Sequence, residues 1–469
     1  MSRVARLGCV LASGAVLAVG LSARPAAGLA VNFSPDRGTP QNVIDGFNEA
    51  ADLWSNIITD NVTIRIDIGF PSLPSGVLGQ TGSRRLTYSY SSVRSALVSD
   101  ASSQADLLAT GTLPAGPDLD IYINRTSNNP NGSGSATPYL DNDGDANNTT
   151  IRMTSANAKA LGLNISGNPN TSDATIQFSS NFSWDFDRSN GISGGTFDFV
   201  GVAAHEIGHA LGFISGVDIL DANSPPNAGP FPDHDFTYVS TPDIFRFSTG
   251  SLSAGGSGTI DWAADNRTKS FSIDGGTTTV ATFSTGVTFG DGRQASHWKD
   301  NLGIGLMDPT FAAGELGVIT AKDRLMFNII GWDIADLPGD ANLDGTVNGL
   351  DLSALAANWQ SSGASWQDGD FNGDGIVNGL DLSILAQNWV SPLSAGGVGF
   401  DEQGLNAATH SGDQLVATCC CASCLIVSGS TTLSGGSALL GGIPEPGAAA
   451  LLLAGGAMGL LRRPRRRAT

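Results

Sequence analysis

The sequence predicts a mixed α/β domain followed by a small all-α domain, with an apolar segment at each end of the chain. Three observations support this arrangement. Helical and strand-like hydrophobic patterns alternate through the first half of the chain. A polar motif that begins at Asp340 recurs at Asp370. The length of 469 residues is too great for one ordinary core and suggests two to four domains.

Composition favours an extracellular, loop-rich protein. Charged residues make up 14% of the chain, and there are 61 glycines. With 44 acidic and 24 basic residues, the formal net charge is -20. Such a chain repels phosphate backbones and attracts cations. The composition therefore argues against nucleic acid as a partner.

Residues 1–30 have the order of a secretory signal. Basic residues precede an apolar run over 7–21, and small residues follow up to Ala30. The run is short for a membrane span of ~20 residues, which favours cleavage by signal peptidase over an uncleaved helix. We expect the mature chain to begin near Val31.

Helix and strand patterns alternate in the domain that follows. Apolar residues share one helical face over residues 40–58. The other predicted elements are strands over 62–68, 119–124 and 174–182 and helices over 92–105 and 197–213. Residues 225–294 are rich in Gly, Ser and Thr, with short strand-like runs. We interpret about 216–294 as a β-rich insertion within a domain of residues 31–336.

The predicted helix over 197–213 carries the sequence His205-Glu206-Ile207-Gly208-His209. Positions four apart share one face of a helix, so both imidazoles can bind one metal ion while Glu206 faces a water. Zinc suits these ligands and would act as a Lewis acid, with Glu206 as general base. The pattern indicates hydrolysis of peptide bonds.

A third ligand has several candidates in the sequence. His410 is a poor one, because it lies beyond the repeated motif in a different domain. His234 stands between two aspartates, and His297 precedes Met307. Asp218 also follows the helix closely, and carboxylates bind zinc.

Two further segments carry a family resemblance. Gly212 stands three residues after His209, where metzincin proteases carry a glycine, but Ser215 occupies the place of their usual third histidine. Ser296-His297-Trp298 then precedes Leu306-Met307-Asp308-Pro309. This combination resembles the leishmanolysin-like metzincins, in which an insertion separates the helix from the third histidine and a methionine turn follows.

The resemblance implies a metzincin-like zincin fold and a catalytic zinc ion. It implies His205, His209 and His297 as zinc ligands, which ranks His297 above His234 and Asp218. It also implies Met307 as an apolar floor under the metal and a protein or peptide substrate. A different class of function stays open: a surface matrix or adhesion protein that does not catalyse and whose repeats mediate assembly.

The internal repeat occupies residues 339–391. Each copy begins with Asp-x-Asn-x-Asp-Gly and runs into a short predicted helix. Oxygen ligands stand at the loop positions that calcium uses, two of them backbone carbonyls at Thr346 and Ile376. The first loop offers Asp340, Asn342, Asp344, Thr346, Asn348 and Asp351. The second loop offers Asp370, Asn372, Asp374, Ile376, Asn378 and Asp381.

These repeats resemble a type I dockerin, which implies bound calcium and a cohesin as partner. Dockerins often contact cohesins through a Ser-Thr pair just before the last calcium ligand. Here that place holds Gly349-Leu350 and Gly379-Leu380. A calcium-stabilised spacer is therefore an alternative to cohesin binding, and recruitment to a polysaccharide-degrading complex is a third.

A Gly/Ser-rich linker over residues 392–442 contains four clustered cysteines. They are Cys419, Cys420, Cys421 and Cys424. An oxidising compartment would allow local disulfides or links to another chain, and the CxxC spacing of the last two leaves a redox role open.

The C-terminal residues 443–469 form the last segment. Ile443-Pro444-Glu445-Pro446 precedes an apolar stretch over 447–461, and arginines follow. The arginines would stay cytoplasmic while the stretch spans the bilayer as a helix. The segment resembles the PEP-CTERM sorting signal, which implies processing by an exosortase and delivery to the envelope, surface or extracellular matrix of a Gram-negative bacterium. A plain membrane anchor is the alternative.

Overall fold

The computed structural model describes most of residues 28–389 and one later strand. The residues described are 28–389, except 169, 336 and 343–346, together with 416–421. The predicted sorting signal lies outside them, and so do nearly all of the predicted signal peptide and most of the linker, including Cys424. Within the described residues, no helix has both the length and the apolar character needed to cross a membrane.

Strands and helices alternate along the described chain, which confirms the predicted mixed α/β class. The strands are β1 (Ala30–Pro35), β2 (Thr63–Gly69), β3 (Val77–Ser83), β4 (Arg85–Ser89), β5 (Ile121–Ile123), β6 (Tyr139–Asp141), β7 (Thr150–Thr154), β8 (Ala174–Phe178), β9 (Trp184–Asp185), β10 (Phe197–Asp198), β11 (Arg246–Phe247), β12 (Ile260–Asp261), β13 (Lys269–Phe271), β14 (Ala281–Phe283), β15 (Thr310–Ala312) and β16 (Val416–Cys421). The helices are α1 (Gln41–Ser55), α2 (Tyr90–Asp100), α3 (Gln104–Thr112), α4 (Ala146–Thr149), α5 (Ser155–Ala160), α6 (Phe199–Leu211), α7 (Val217–Ala222), α8 (Thr249–Gly255), α9 (Ala321–Ile329), α10 (Gly349–Ala357) and α11 (Gly379–Gln387).

The largest sheet supports the central helix α6. Its strand order is β1-β2-β8-β3-β16-β15. Strands β1, β2 and β8 are parallel neighbours, and β3 runs antiparallel to β8. Strand β16 pairs in parallel with β3 and antiparallel with β15. Helix α6 packs against β3 and α1, so it lies directly on this sheet.

Helix α1 is amphipathic and docks α6 through its apolar face. Val43, Phe47 and Trp54 are buried on that face. The ring of Phe47 packs edge-on against Phe199 of α6. The Trp54 indole Nε1 donates to the Ala204 carbonyl at 2.9 Å. These contacts fix the orientation of α6 by apolar burial together with one buried hydrogen bond.

Helix α6 is buried on every side, as its nearly continuous apolar sequence requires. The Asp198 carboxylate caps its first turn by accepting from the Gly201 N–H at 2.9 Å. The helix ends at Leu211, and Gly212 follows it with a φ of 132°, which suits glycine. Its only polar side chains are the two histidines and the glutamate between them, so these groups lie in the core.

The helix predicted over 92–105 is two helices. Helix α2 ends at Asp100, and Ser103 begins α3 with a capping box. The Ser103 Oγ accepts from the Asp106 N–H at 3.1 Å, and the Asp106 carboxylate accepts from the Ser103 N–H at 3.0 Å. These side-chain bonds start a new helix, so the apolar pattern that crosses the boundary misled the prediction.

The segment 216–294 contains short strands and helices. Strands β11, β13 and β14 form a small antiparallel sheet. Strand β12 pairs in parallel with β5, which ties the segment to the preceding part of the domain.

The repeat domain has an apolar cluster of its own. Helices α10 and α11 pack on each other through this cluster. Its buried members are Ala341, Val347, Leu355, Phe371, Val377 and Leu385. Corresponding positions of the two repeats therefore supply one small shared core.

Candidate metal centre

Three buried imidazoles meet beside helix α6. His205 and His209 project from successive turns of that helix, and His297 comes from the loop after β14. The His209 Nε2 lies 3.0 Å from His205 Nε2 and 3.2 Å from His297 Nε2. All three side chains are fully buried. The structure thus brings together the three histidines that the family resemblance implied as ligands.

Hydrogen bonds at the far side of two rings define their tautomers. The His205 Nδ1 lies 2.7 Å from the Leu306 carbonyl, and the His209 Nδ1 lies 2.6 Å from the Phe213 carbonyl. A carbonyl oxygen only accepts, so each Nδ1 donates and each neutral ring keeps a lone pair on Nε2. Two such lone pairs 3.0 Å apart repel each other. A cation between them removes the repulsion, and a set of three neutral imidazoles fits zinc.

Burial keeps these imidazoles neutral. It lowers the pKa of His205 to about 4. For His209 and His297, burial and then a neighbouring imidazole hold the pKa well below its ordinary value. Neutral rings are the form that binds a metal ion, so no proton competes with a metal at neutral pH.

Glu206 lies on the same helix with one free carboxylate oxygen. Its Oε2 accepts from the Thr81 hydroxyl of β3 at 2.5 Å, whereas Oε1 is buried without a hydrogen-bond partner. Burial raises the pKa of Glu206 to about 8, against the opposing effect of the Thr81 bond. A Cβ at Gly79 would stand 3.1 Å from Oε1, so the glycine gives this oxygen room.

Met307 forms an apolar floor against α6. It is fully buried, and a Cβ at Gly208 would lie 2.6 Å from its Sδ. Real Cβ atoms do not approach so closely, so glycine at 208 is what lets the methionine pack there. The carbonyl of Met307 accepts from the Trp298 N–H at 2.9 Å, which joins this turn to the residue after His297.

Asp323 connects the third histidine to the methionine turn, a role that the sequence did not reveal. Its buried carboxylate accepts from Trp298 Nε1 at 2.8 Å and from the N–H groups of Leu306 at 2.7 Å and Met307 at 3.3 Å. It also caps α9, accepting from the Thr320 N–H at 2.8 Å. The Thr-x-x-Asp spacing signals the cap in the sequence, but the contacts with the turn depend on the tertiary fold.

Two of the rival ligands, Asp218 and His234, lie outside the imidazole cluster. Asp218 is buried and accepts from the N–H groups of Ala295 at 2.6 Å and Ser296 at 3.2 Å, so it holds the segment that carries His297. His234 has 53% of its side chain exposed and lies near Asp145. His410 is outside the described residues.

The second repeat loop is closed by its last predicted ligand, Asp381. Its Oδ1 accepts from the N–H groups of Phe371 at 2.9 Å and Asn372 at 3.1 Å. Its Oδ2 accepts from the Asn378 N–H at 2.9 Å. The other predicted ligands of this loop, all described, are Asp370, Asn372, Asp374, Ile376 and Asn378.

The first repeat loop has the same closure. The Asp351 Oδ1 accepts from the N–H groups of Ala341 at 2.8 Å and Asn342 at 3.1 Å, and its Oδ2 from the Asn348 N–H at 2.8 Å. The predicted ligands outside the described residues are Asp344 and Thr346. The described parts of the two loops therefore share one hydrogen-bond pattern.

Large apolar side chains are exposed at matching positions of the two repeats. Leu350 and Leu380 are 63% and 62% exposed. Trp359 and Trp389 stand two residues after the ends of α10 and α11 and are exposed as well. The repeat domain thus presents the same apolar side chains twice.

The repeat domain matches a known family. Residues 338–389 match the family described as dockerin type I domain. No curated protein matches the chain, and no solved structure matches it. The matched segment covers both repeat loops and their shared core, so the chain contains a type I dockerin domain.

Proposed function

We propose that the protein is a zinc metalloendopeptidase with His205, His209 and His297 as ligands and Glu206 as general base. The observation that carries this proposal is the convergence of three neutral, buried imidazoles beside a carboxylate with an unpartnered oxygen. When bound, zinc supplies a Lewis acid at this point. The choice of a peptide substrate rests on the resemblance to leishmanolysin-like metzincins.

The residues around the centre have separable roles in this mechanism. Glu206 Oε1 takes the proton of the attacking water and then passes it to the leaving amine. The Thr81 hydroxyl holds Oε2, so it keeps the carboxylate pointed in one direction. The carbonyls of Leu306 and Phe213 fix the imidazole rings by accepting from Nδ1.

A slot beside the centre supports an extended peptide as substrate. Strand β16 lies between β3 and β15, which shows that an extended segment fits there. Its Cys421 is opposite Thr81, the partner of Glu206. Its Ala417 is opposite Phe311, whose ring centre is 5.9 Å from that of His205. A substrate that pairs in the same slot would lie against the metal centre.

The substitution Glu206→Gln tests this function. It removes the proton acceptor but none of the ligands, so zinc content should stay unchanged while hydrolysis of an unfolded protein falls by ~10²–10⁴-fold. Zinc would be measured by elemental analysis of the dialysed chain. Near-normal hydrolysis by this variant would refute the mechanism.

A pair of substitutions tests which histidines bind zinc. His297→Ala should lose zinc and activity together, because only two imidazoles would remain to hold the ion. His234→Ala is the matched control and should retain both, since that side chain is largely exposed and outside the cluster. Full zinc in His297→Ala would remove His297 from the ligand set.

A second function is favoured by the dockerin match: calcium-dependent binding of a cohesin. We propose that calcium is held by the two repeat loops, whose predicted ligands are given above. The partner surface would be the duplicated apolar one that includes Leu350 and Leu380. These leucines stand where dockerins often carry a Ser-Thr pair, so the contact would be more apolar than usual.

Binding of the full chain to immobilised type I cohesins tests this second function. Binding should require calcium and should be lost when Leu350→Asp and Leu380→Asp are combined. Calcium-dependent folding without binding to any cohesin would instead assign the domain as a spacer. Cohesin binding by a chain that neither retains zinc nor hydrolyses protein would assign a non-catalytic assembly protein.

We also propose export and retention at the cell envelope. The sequences of residues 1–30 and 443–469 support this, with signal peptidase and an exosortase as processing partners. The mass of the mature protein isolated from cells tests it. Retention of either terminal segment would contradict the corresponding cleavage.

A further inference from the structure

A second cluster of metal-ligating side chains lies outside the imidazole centre. It forms where the loop that follows β6 meets the turn at residues 233–235. Oxygen atoms of Asp145 and Asp233 and a ring nitrogen of His234 all lie within 4.8 Å of one another. Acidic side chains also stand at alternate positions of the loop, at Asp141 and Asp143.

The carboxylates of this cluster are close enough to oppose one another's ionisation. Asp141 and Asp233 are almost fully buried. Oxygen atoms of Asp145 and Asp233 lie within 4.8 Å of each other, so their charges repel when both are ionised. Asp145 Oδ2 lies 3.7 Å from His234 Nδ1, and the His234 side chain is 53% exposed. A partly exposed imidazole offsets little of the electrostatic repulsion among several clustered carboxylates.

An unpartnered buried oxygen in the cluster indicates a ligand. Asn147 is 1% exposed, and its Nδ2 donates to Asp141 Oδ2 at 2.7 Å. That bond holds the Asn147 amide against the buried Asp141 carboxylate, yet Asn147 Oδ1 has no hydrogen-bond partner. A buried acceptor without a donor destabilises the folded state. A cation bound beside this oxygen would give it a partner.

We propose that Asp141, Asp143, Asp145, Asn147 and Asp233 form a calcium site outside the dockerin domain. Calcium takes six to eight oxygen ligands, and this set offers carboxylate and amide oxygens. Zinc prefers nitrogen and sulfur, and His234 is the single nitrogen ligand in the cluster. Gly144, with φ of 76°, lets the loop turn so that alternate side chains share one side.

The site joins two distant parts of the chain. Asp141, Asp143, Asp145 and Asn147 follow β6, whereas Asp233 belongs to the segment interpreted as an insertion. The Tyr139 hydroxyl already donates to Asp233 Oδ2 at 2.7 Å across this junction. A bound ion would hold the junction closed, and its removal would leave the carboxylates to repel one another. This inference is independent of the proposed zinc chemistry.

Hydrogen exchange of the full chain, measured with constant zinc, tests the proposal. At calcium of 100 times the Kd, protection of residues 139–149 and 231–236 should rise by up to ~100-fold over calcium-free protein. Residues 370–381 of the dockerin domain serve as an internal reference. Equal exchange of the first two segments with and without calcium would overturn the proposal, as would a response to added zinc alone.

The variant Asp145→Asn separates the new site from the dockerin loops. It should lose the calcium response of residues 139–149 and keep that of residues 370–381. Asp52→Asn is the matched control, because it removes one exposed negative charge on α1 and should keep both responses. A full response of residues 139–149 in Asp145→Asn would overturn the ligand assignment.

Discussion

Asp323→Asn tests how the chain positions His297, the third ligand of the proposed zinc site. The substitution keeps the shape of the side chain but leaves one acceptor oxygen in place of two. In the structure, Oδ2 accepts from the N–H groups of Leu306 and Thr320 and from the Thr320 hydroxyl. Oδ1 accepts from Trp298 Nε1 and the Met307 N–H. The asparagine oxygen will therefore take the place of Oδ2, and the asparagine NH₂ group will face the two donors at Oδ1, Trp298 Nε1 and the Met307 N–H.

The size of the effect follows from those two donors. Each buried N–H that loses its acceptor costs about 1–3 kcal/mol, so the free energy of unfolding should fall by about 2–6 kcal/mol. The zinc affinity should also fall, because the Leu306 carbonyl orients His205 and Trp298 adjoins His297. Partners that orient ligands typically contribute about 10–100-fold in metal affinity.

Urea unfolding of the zinc-loaded chain measures the stability, and competition with a chelator measures the affinity. Asp106→Asn is the matched control, since Asp106 also caps a helix and is buried but lies at α3. It should lower stability and leave zinc affinity unchanged. The reasoning fails if Asp323→Asn binds zinc as tightly as the unmodified chain, or if both variants lose affinity equally.

Three further outcomes are expected. Thr81→Val should keep zinc and lower kcat by ~10–100-fold with little change in KM, because a hydrogen bond to a charged group is worth about 1.5–3 kcal/mol; unchanged kcat would contradict this. Removal of calcium should make residues 339–390 sensitive to an added protease, because the loop carboxylates then repel one another; equal resistance with and without a chelator would count against it. Burial raises the pKa of Asp100 to about 7, above its ordinary value of 3.8, so the folded state binds more protons and stability should fall as pH rises from about 4 to about 7. Asp100→Asn should reduce this fall, as measured by urea midpoints at several pH values, and an identical pH profile would refute the assignment.

Local patterns explain what could be predicted from the sequence. The spacing of His205 and His209 fixes their common helical face, because helix periodicity needs no tertiary information. The two repeat loops could also be recognised, since their Asp-x-Asn-x-Asp-Gly motifs lie within short segments, and the family match over residues 338–389 supports them. The break between α2 and α3 was missed, because its signal at Ser103 is a helix cap and not a change in the apolar period.

Tertiary contacts explain what could not be predicted. Asp218 stands near the helix in the sequence and was therefore a candidate ligand, yet its oxygens accept backbone N–H groups near His297. Thr81 bonds to Glu206 from a different strand, across a separation of 125 residues. No periodicity links such positions, so only the packing of β3 on α6 reveals the contact.

The chain separation between the three clustered histidines sets the order in which they can come together. His209 and His297 are 88 residues apart. During synthesis the N-terminal part of the chain appears first. Helix α6 with His205 and His209 is therefore made well before His297, and Asp323 follows later still. Until that later segment is made, His205 and His209 lack the third imidazole and the methionine turn whose Leu306 carbonyl orients His205. For the proposed metalloendopeptidase, activity would therefore be acquired only after residues 297–323 have packed against the helix.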